Sequence, residues 1–388
     1  MHIRLFDGSD RDFLLPFVYV RPVADLFMGM MTFRDRWALL TGAEISVETQ
    51  TYLQEDLVQT ADFCVLASCV PDDVFVETVM SLKPKQKLMF EGQLLAYHGA
   101  LTSDEDGLDD YNTIVLSGSH FRRIKFSWDL FTHNGFALHR DFELLTKGKT
   151  TVLPSETNTL LGNGNLFIGS DVEMEGVSLN TQAGPIYIDD GATIMEGSML
   201  RGPLYVGKNT VVKMGTKIYG DTTLGPEVKV GGELSNVVFF GFSNKGHDGF
   251  LGNAVIGKWC NIGAATDASN LKNDYGNVKA WSYPEQGFTD TGLQFCGLLM
   301  GDHSQCAIHT TFNTATTVGV GCNIFGSGFP RTFIPSFSRG GAQGFVENKL
   351  DKVQKTARLM MQRRNRELEK SYENTLADIF SQTASHRK

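Results

Sequence analysis

Every sixth residue from Ile188 to Val230 is aliphatic: Ile188, Ile194, Leu200, Val206, Val212, Ile218, Leu224 and Val230. Glycine follows directly at Gly207, Gly225 and Gly231. A period of six matches neither a helix nor a simple alternating strand. It suits a solenoid of short flat β faces, each turning one aliphatic side chain inward, with tight turns between faces. Glycine beside a corner permits backbone conformations that other residues resist. Three such faces make a triangular coil of about 18 residues. The rhythm returns as Met300, Cys306, Phe312, Val318 and Ile324, and Ile256 and Ile262 supply a middle section.

Two segments break the phase, "ELSNVVFFGFSNKGHDGF" after Val230 and "NLKNDYGNVKAWSYPEQGFTDTGLQF" from Asn270. Extra residues in a solenoid must loop out from its surface, and loops on a rigid scaffold tend to carry function. His247 stands beside the first break and Asn270 at the start of the second.

A chain of 388 residues exceeds one ordinary core, and two domains are expected. Residues 1–150 read as an α/β domain. "IRLFD" and "ADFCVLASCV" read as buried strands, and "VADLFMGMMTFRDRWALLTG" as a helix ended by Gly42. "PDDVFVETVMSLK" reads as a second helix, and "KLMFEGQLLAYHG" as a hairpin turning at Glu91-Gly92. The solenoid spans residues 160–335, and residues 344–380 read as one long helix by apolar spacing. The basic run from Arg358 to Lys370 alternates with acids. It reads as a solvated helix face or, more sharply, as an anion or partner surface.

The formal charge of −9 points away from nucleic acid as a partner. There is no apolar run long enough to cross a membrane and no signal-peptide pattern at the start, so a cytoplasmic protein is expected. The six cysteines form no CxxC pair and read as reduced thiols.

The stretch "GHDGFLGNAVIGKWCNIGAATDASNL" resembles the acetyltransferase half of the bifunctional N-acetylglucosamine-1-phosphate uridyltransferase/glucosamine-1-phosphate acetyltransferases. The resemblance implies a left-handed parallel β-helix, acetyl-CoA as co-substrate, a sugar phosphate or nucleotide sugar as partner, a homotrimer and a role in nucleotide-sugar supply. The family's catalytic base falls on His247. A histidine suits that task because its ordinary pKa lies near the working pH. Substrate contacts fall on Phe250 (where the family has tyrosine), Asn261 and Asn270, and the backbone approaching the acyl group on Ala264. A coenzyme contact falls on Asp302. Of the family's basic pair for the sugar phosphate, Lys217 lies near one member and Ser235 replaces the other. Lys245, Lys272 and Lys279 are the nearby cations that could hold phosphate instead.

The opening "LFDGSDRDFLLPFVYVRPVADL" resembles sugar nucleotidyltransferases fused to the same β-helix. The resemblance implies nucleotide binding at Gly8, Arg11 and Arg21 and Mg2+ as a cofactor of this domain; no metal-binding Asp can be assigned, with Asp7, Asp10 and Asp72 the candidates. Only one glycine stands where a phosphate cradle has several, and no lysine stands at the expected place.

Two other readings stay open. One is a non-catalytic trimeric scaffold that binds a nucleotide sugar. The other is a zinc enzyme similar to the γ-class carbonic anhydrases of the same fold, in which His303 and His309, six apart, join His247 around the metal.

Overall fold

The computed structural model describes residues 1–54, 60–99, 107–118, 121–162 and 164–387. Its contacts divide the chain into two units, residues 1–26 with 31–126, and residues 27–30 with 127–388.

The first unit is built on a six-stranded mixed sheet. Its strand order is Glu44–Glu48, His2–Phe6, Phe63–Leu66, Gln93–His98, Gln86–Phe90 and Asn112–Val115. His2–Phe6 is parallel to both neighbours, so the apolar Ile3, Leu5 and Val65 are wholly buried, as a covered parallel sheet requires. The hairpin turns where expected, with Glu91 and Gly92 both at positive φ. The first helix is shorter than its sequence suggested. It runs only over Phe33–Thr41, because Thr32 caps it by accepting from the Asp35 amide, and Gly42 ends it at φ 64°. The residues before it form a 3-10 turn, Val23–Asp25, and short extended pieces about Gly29, whose φ of 68° stops a helix.

The second unit is a parallel β-solenoid of about ten coils. Three columns of strands form its faces. Equivalent residues on successive regular coils lie eighteen apart, as in Ile188, Val206 and Leu224. All eight aliphatic residues of the six-residue period point inward and are buried. The apolar column gives the solenoid its core, and parallel registers from coil to coil satisfy the backbone.

The two phase breaks have different causes. The first is a contraction: Val230 pairs with Lys245 fifteen positions on, three short of the usual spacing, and the chain stays in the coil. The expected outward loop is absent there. The second is a true insertion, since Ile262 pairs with Cys306 across forty-four positions. It carries a hairpin, Lys279–Ser282 with Gly287–Asp290, whose Trp281 stacks on Phe333 at 4.0 Å.

The tail is also not one helix. A strand, Gly344–Glu347, comes first, followed by helices Leu350–Gln362 and Lys370–Gln382. Asn365 at φ 54° breaks the run between them. The apolar spacing that reads as continuous is two separate stripes. Val353 and Ala357 are buried from the first helix, and Leu376 and Ile379 from the second. Among the described residues no helix is long and apolar enough to cross a membrane.

Candidate functional site

One corner of the solenoid repeats a left-handed residue on nearly every coil: Asp171, Gly191, Asn209, Glu227, Phe242, Trp259, His303, Gly321 and Phe337. Bulky side chains are rarely found at positive φ. Here three of them stack. Phe242 lies 4.4 Å from Trp259 at 17°, and Trp259 lies 6.5 Å from His303 at 13°. The His303 Nε2 then meets the Tyr372 hydroxyl of the second tail helix at 3.2 Å. The stacking offsets the backbone cost and gives the tail a flat aromatic surface to rest on.

Beside this ladder the solenoid and the first tail helix enclose a cleft of about 680 Å³. His247, Asn261, Gly263 and Ala264 form one wall, and Phe242 and Trp259 another. Ile308 and Met360 supply apolar surface, and Lys213, Lys229, Arg363 and Arg364 line the rest. The sequence thus places three of its expected residues together: His247, Asn261 and Ala264. They converge because Asn244 and Asn261 are in register, so the corner after Lys245 and the corner after Ile262 are neighbours. The Asp248 carbonyl accepts from the Ala265 amide at 2.9 Å and ties the two corners. His247 is exposed, and among the described residues its imidazole has no hydrogen-bond partner.

The four cations are the feature that sequence reasoning assigned least well. Lys213, Lys229 and Arg363 have no carboxylate partner among the described residues, while Arg364 pairs with Glu227 at 3.7 Å and bonds Asn244 at 2.8 Å. Burial, then the charges of Arg364, Lys213 and Arg363, hold the Lys229 ammonium below its ordinary pKa. The anion reading of the Arg358–Lys370 run was the only sequence signal. Lys213 and Lys229 are ordinary outward residues of the period until the coils are stacked.

Other expected residues lie elsewhere. Lys245 is 1% exposed and turns into the solenoid interior, so it reaches no ligand. Asp302 is buried in its corner against Gly257 and does not line the cleft. Lys217 is on another face, 3.7 Å from Glu233. Asn270 donates to the Asn253 side chain at 2.8 Å, Phe250 is part-buried beside Gly252, and Lys272 pairs with Asp274 at 3.0 Å. Lys279 stands exposed on the inserted hairpin.

In the first unit, Gly8 has φ 61°, and a Cβ there would meet the tip of the Leu66 side chain. Arg11 is turned into its own loop. Its Nη2 donates to the Val18 carbonyl at 2.8 Å and the Tyr52 hydroxyl at 3.0 Å, and its Nε lies 3.4 Å from Asp7. Arg21 donates to the Phe17 carbonyl at 2.8 Å. Both guanidinium groups staple the loop rather than face an open cradle. Asp7 accepts from the Val23 amide and the Thr49 hydroxyl, and burial raises its pKa to about 6. Asp10 accepts two bonds from Arg123, at 2.6 and 2.7 Å, and one from Ser68. Asp72 caps the helix Asp73–Met80. Among the described residues no three His, Cys, Asp or Glu side chains converge to hold a metal ion by themselves. The zinc reading fares no better: His303 is held in the aromatic ladder, and His309 is exposed on the next corner.

Residues 3–150 match the family model described as sugar nucleotidyl transferase. No curated protein matches the chain. Among solved structures, the Arabidopsis UDP-N-acetylglucosamine acyltransferase is 14% identical, with 61% of this chain and 94% of that one covered and a TM-score of 0.27. The UDP-N-acetylglucosamine acyltransferase from Campylobacter jejuni is 12% identical, with 59% and 96% covered and a TM-score of 0.27.

Proposed function

We propose that the chain is an acyltransferase of nucleotide-sugar metabolism. It moves an acetyl group from acetyl-CoA to the amine of a sugar that carries a phosphate or nucleotide. The observation that carries this reading is the single cleft holding His247 together with four cations. In the reaction, the imidazole of His247 takes a proton from the attacking amine. The new C–N bond forms at the thioester carbonyl, the C–S bond breaks, and the proton passes to the leaving thiolate. The Ala264 amide, on the same wall, supplies a donor for the transient oxyanion. Lys213, Lys229, Arg363 and Arg364 bind the polyphosphate that coenzyme A and nucleotide sugars share. Phe242 and Trp259 offer flat surface to a base. A homotrimer belongs to this proposal, with the cleft completed by a neighbouring copy.

The first unit supports a second reading for its own half, because Arg11 and Arg21 are engaged within their loop. In that reading it binds a nucleotide sugar without transferring the nucleotidyl group.

The deciding experiment is calorimetry with acetyl-CoA, followed by thiol release over a panel of amino-sugar phosphates and nucleotide amino sugars, with His247→Ala alongside. Binding with His247-dependent thiol release supports the acyltransferase. No binding at millimolar acetyl-CoA makes the solenoid a scaffold.

A further inference from the structure

The inward position of one solenoid face is filled coil by coil with Met174, Ile194, Val212 and Val230, then Lys245, then Ile262, Cys306 and Ile324. A single ammonium in an apolar column is strongly unfavourable unless it is hydrogen-bonded. Lys245 has its bonds: Nζ donates to the Gly231 carbonyl at 3.2 Å and to the His247 carbonyl at 3.0 Å.

The corner that follows this face explains why a cation is there. On most coils that corner carries a hydroxyl, at Ser198, Thr216, Thr266 and Thr310. Each hydroxyl donates to the carbonyl of the residue just after an inward position: Ser198 and Thr216 to Lys213, Thr266 and Thr310 to Ala307. On the two contracted coils the equivalent residues are Gly232 and Gly249. Neither admits a side chain. A Cβ on Gly249 would stand 2.1 Å from the Thr266 carbonyl, and one on Gly232 would stand 2.7 Å from the Gly249 carbonyl. The hydroxyl ladder therefore stops where His247 is mounted.

We propose that Lys245 is a positioning residue for His247: its interior ammonium replaces the missing corner hydroxyls and fixes the turn that presents the imidazole to the cleft. The inference rests on His247 being the base of the proposed reaction. Lys245 touches no substrate and acts through the His247 backbone.

The test uses the full chain with Lys245→Met, which keeps the length and removes the donor, and Lys245→Gln, which keeps one donor group. Hydrogen exchange reads the turn directly. The amides of Glu233, Phe250 and Ala265 bond to Gly249, Asp267 and Asp248. They exchange about tenfold faster in Lys245→Met, less so in Lys245→Gln, while the amides of Asp189 and Gly207, which bond to Val206 and Leu224 on regular coils, are unchanged. Thiol release reads the chemistry. A misplaced base lowers kcat by about 10- to 100-fold with KM for acetyl-CoA unchanged. The same substitution in a His247→Ala background then lowers kcat no further. Unchanged exchange at the three amides overturns the inference, and so does an equal kcat loss in the His247→Ala background. If the wild-type protein shows no His247-dependent thiol release, the acyltransferase reading fails, and the exchange result alone decides whether Lys245 holds the turn.

Discussion

The guanidinium of Arg364, just beyond the first tail helix, donates to the Asn244 side chain at 2.8 Å, bridging 120 positions of sequence. Asn244 is the residue before Lys245, so the tail is fastened to the coil that carries His247. The same arginine meets Glu227 at 3.7 Å, and Arg366 meets the other oxygen of that carboxylate at 3.2 Å. This fastening closes the cleft and brings Arg363 to Lys213 and Lys229.

The three cations without carboxylate partners predict the salt dependence of ligand binding. Lys229→Ala or Arg363→Ala weakens acetyl-CoA or nucleotide-sugar binding by about tenfold, or ~1.4 kcal/mol. The slope of affinity against salt falls with it. Calorimetry at two ionic strengths measures both. An affinity unchanged by both substitutions removes the polyphosphate assignment.

Asp7 predicts a pH dependence of stability. Burial outweighs its bonds to Thr49 and Val23 and the charge of Arg11, and its pKa stands at about 6 in the fold against 3.8 ordinarily. A raised pKa means that the folded state binds the proton more tightly. This contribution is therefore fully present below about pH 4 and is lost as pH rises through about 6. Asp7→Asn removes that part of the slope between pH 4 and 6, seen in denaturation midpoints across the range. An identical slope in both proteins contradicts the assignment.

Arg123 neutralises Asp10, whose side chain is 2% exposed. Arg123→Ala leaves that carboxylate, among the described residues, with the Ser68 hydroxyl alone and lowers stability by about 3 kcal/mol. Replacing Asp10 by Asn as well recovers part of the loss, since no unpaired charge remains. Urea unfolding of the wild-type protein and the two variants tests this, and equal loss in the single and double variants would sink it.

Gly249 tolerates no side chain, both for its φ of 120° and for the Thr266 carbonyl. Gly249→Ala destabilises by about 2 kcal/mol or more. Gly215, at φ 67°, lies in the left-handed region that residues such as Trp259 and His303 also adopt, and has nothing within 4 Å of its Cβ position. Gly215→Ala costs only about 1 kcal/mol, the backbone term alone. Thermal melts of the pair check the expected order, and an equal loss in both contradicts the assignment.

The solenoid was legible in the sequence because its rule is local. One inward residue every six positions specifies each face, and stacking adds only repetition. The hairpin at Glu91-Gly92 and the helix end at Gly42 are likewise set by the residues that adopt them. His247, Asn261 and Ala264 could be named as candidates from one contiguous stretch. Other features depended on how the coils align. Lys245 reads as a surface cation until the shortened coil turns it inward to the position Val230 holds one coil earlier. Asp302 reads as an available carboxylate until its corner buries it. Lys213, Lys229, Arg363 and Arg364 are scattered over 152 positions, and no periodicity links them. The sequence by itself determined the repeating coil and the segment that bears the histidine. Only the tertiary structure decided which charges face that histidine, because lateral neighbours in a solenoid are set by coil length, and here two contracted corners and a folded-back tail reset it.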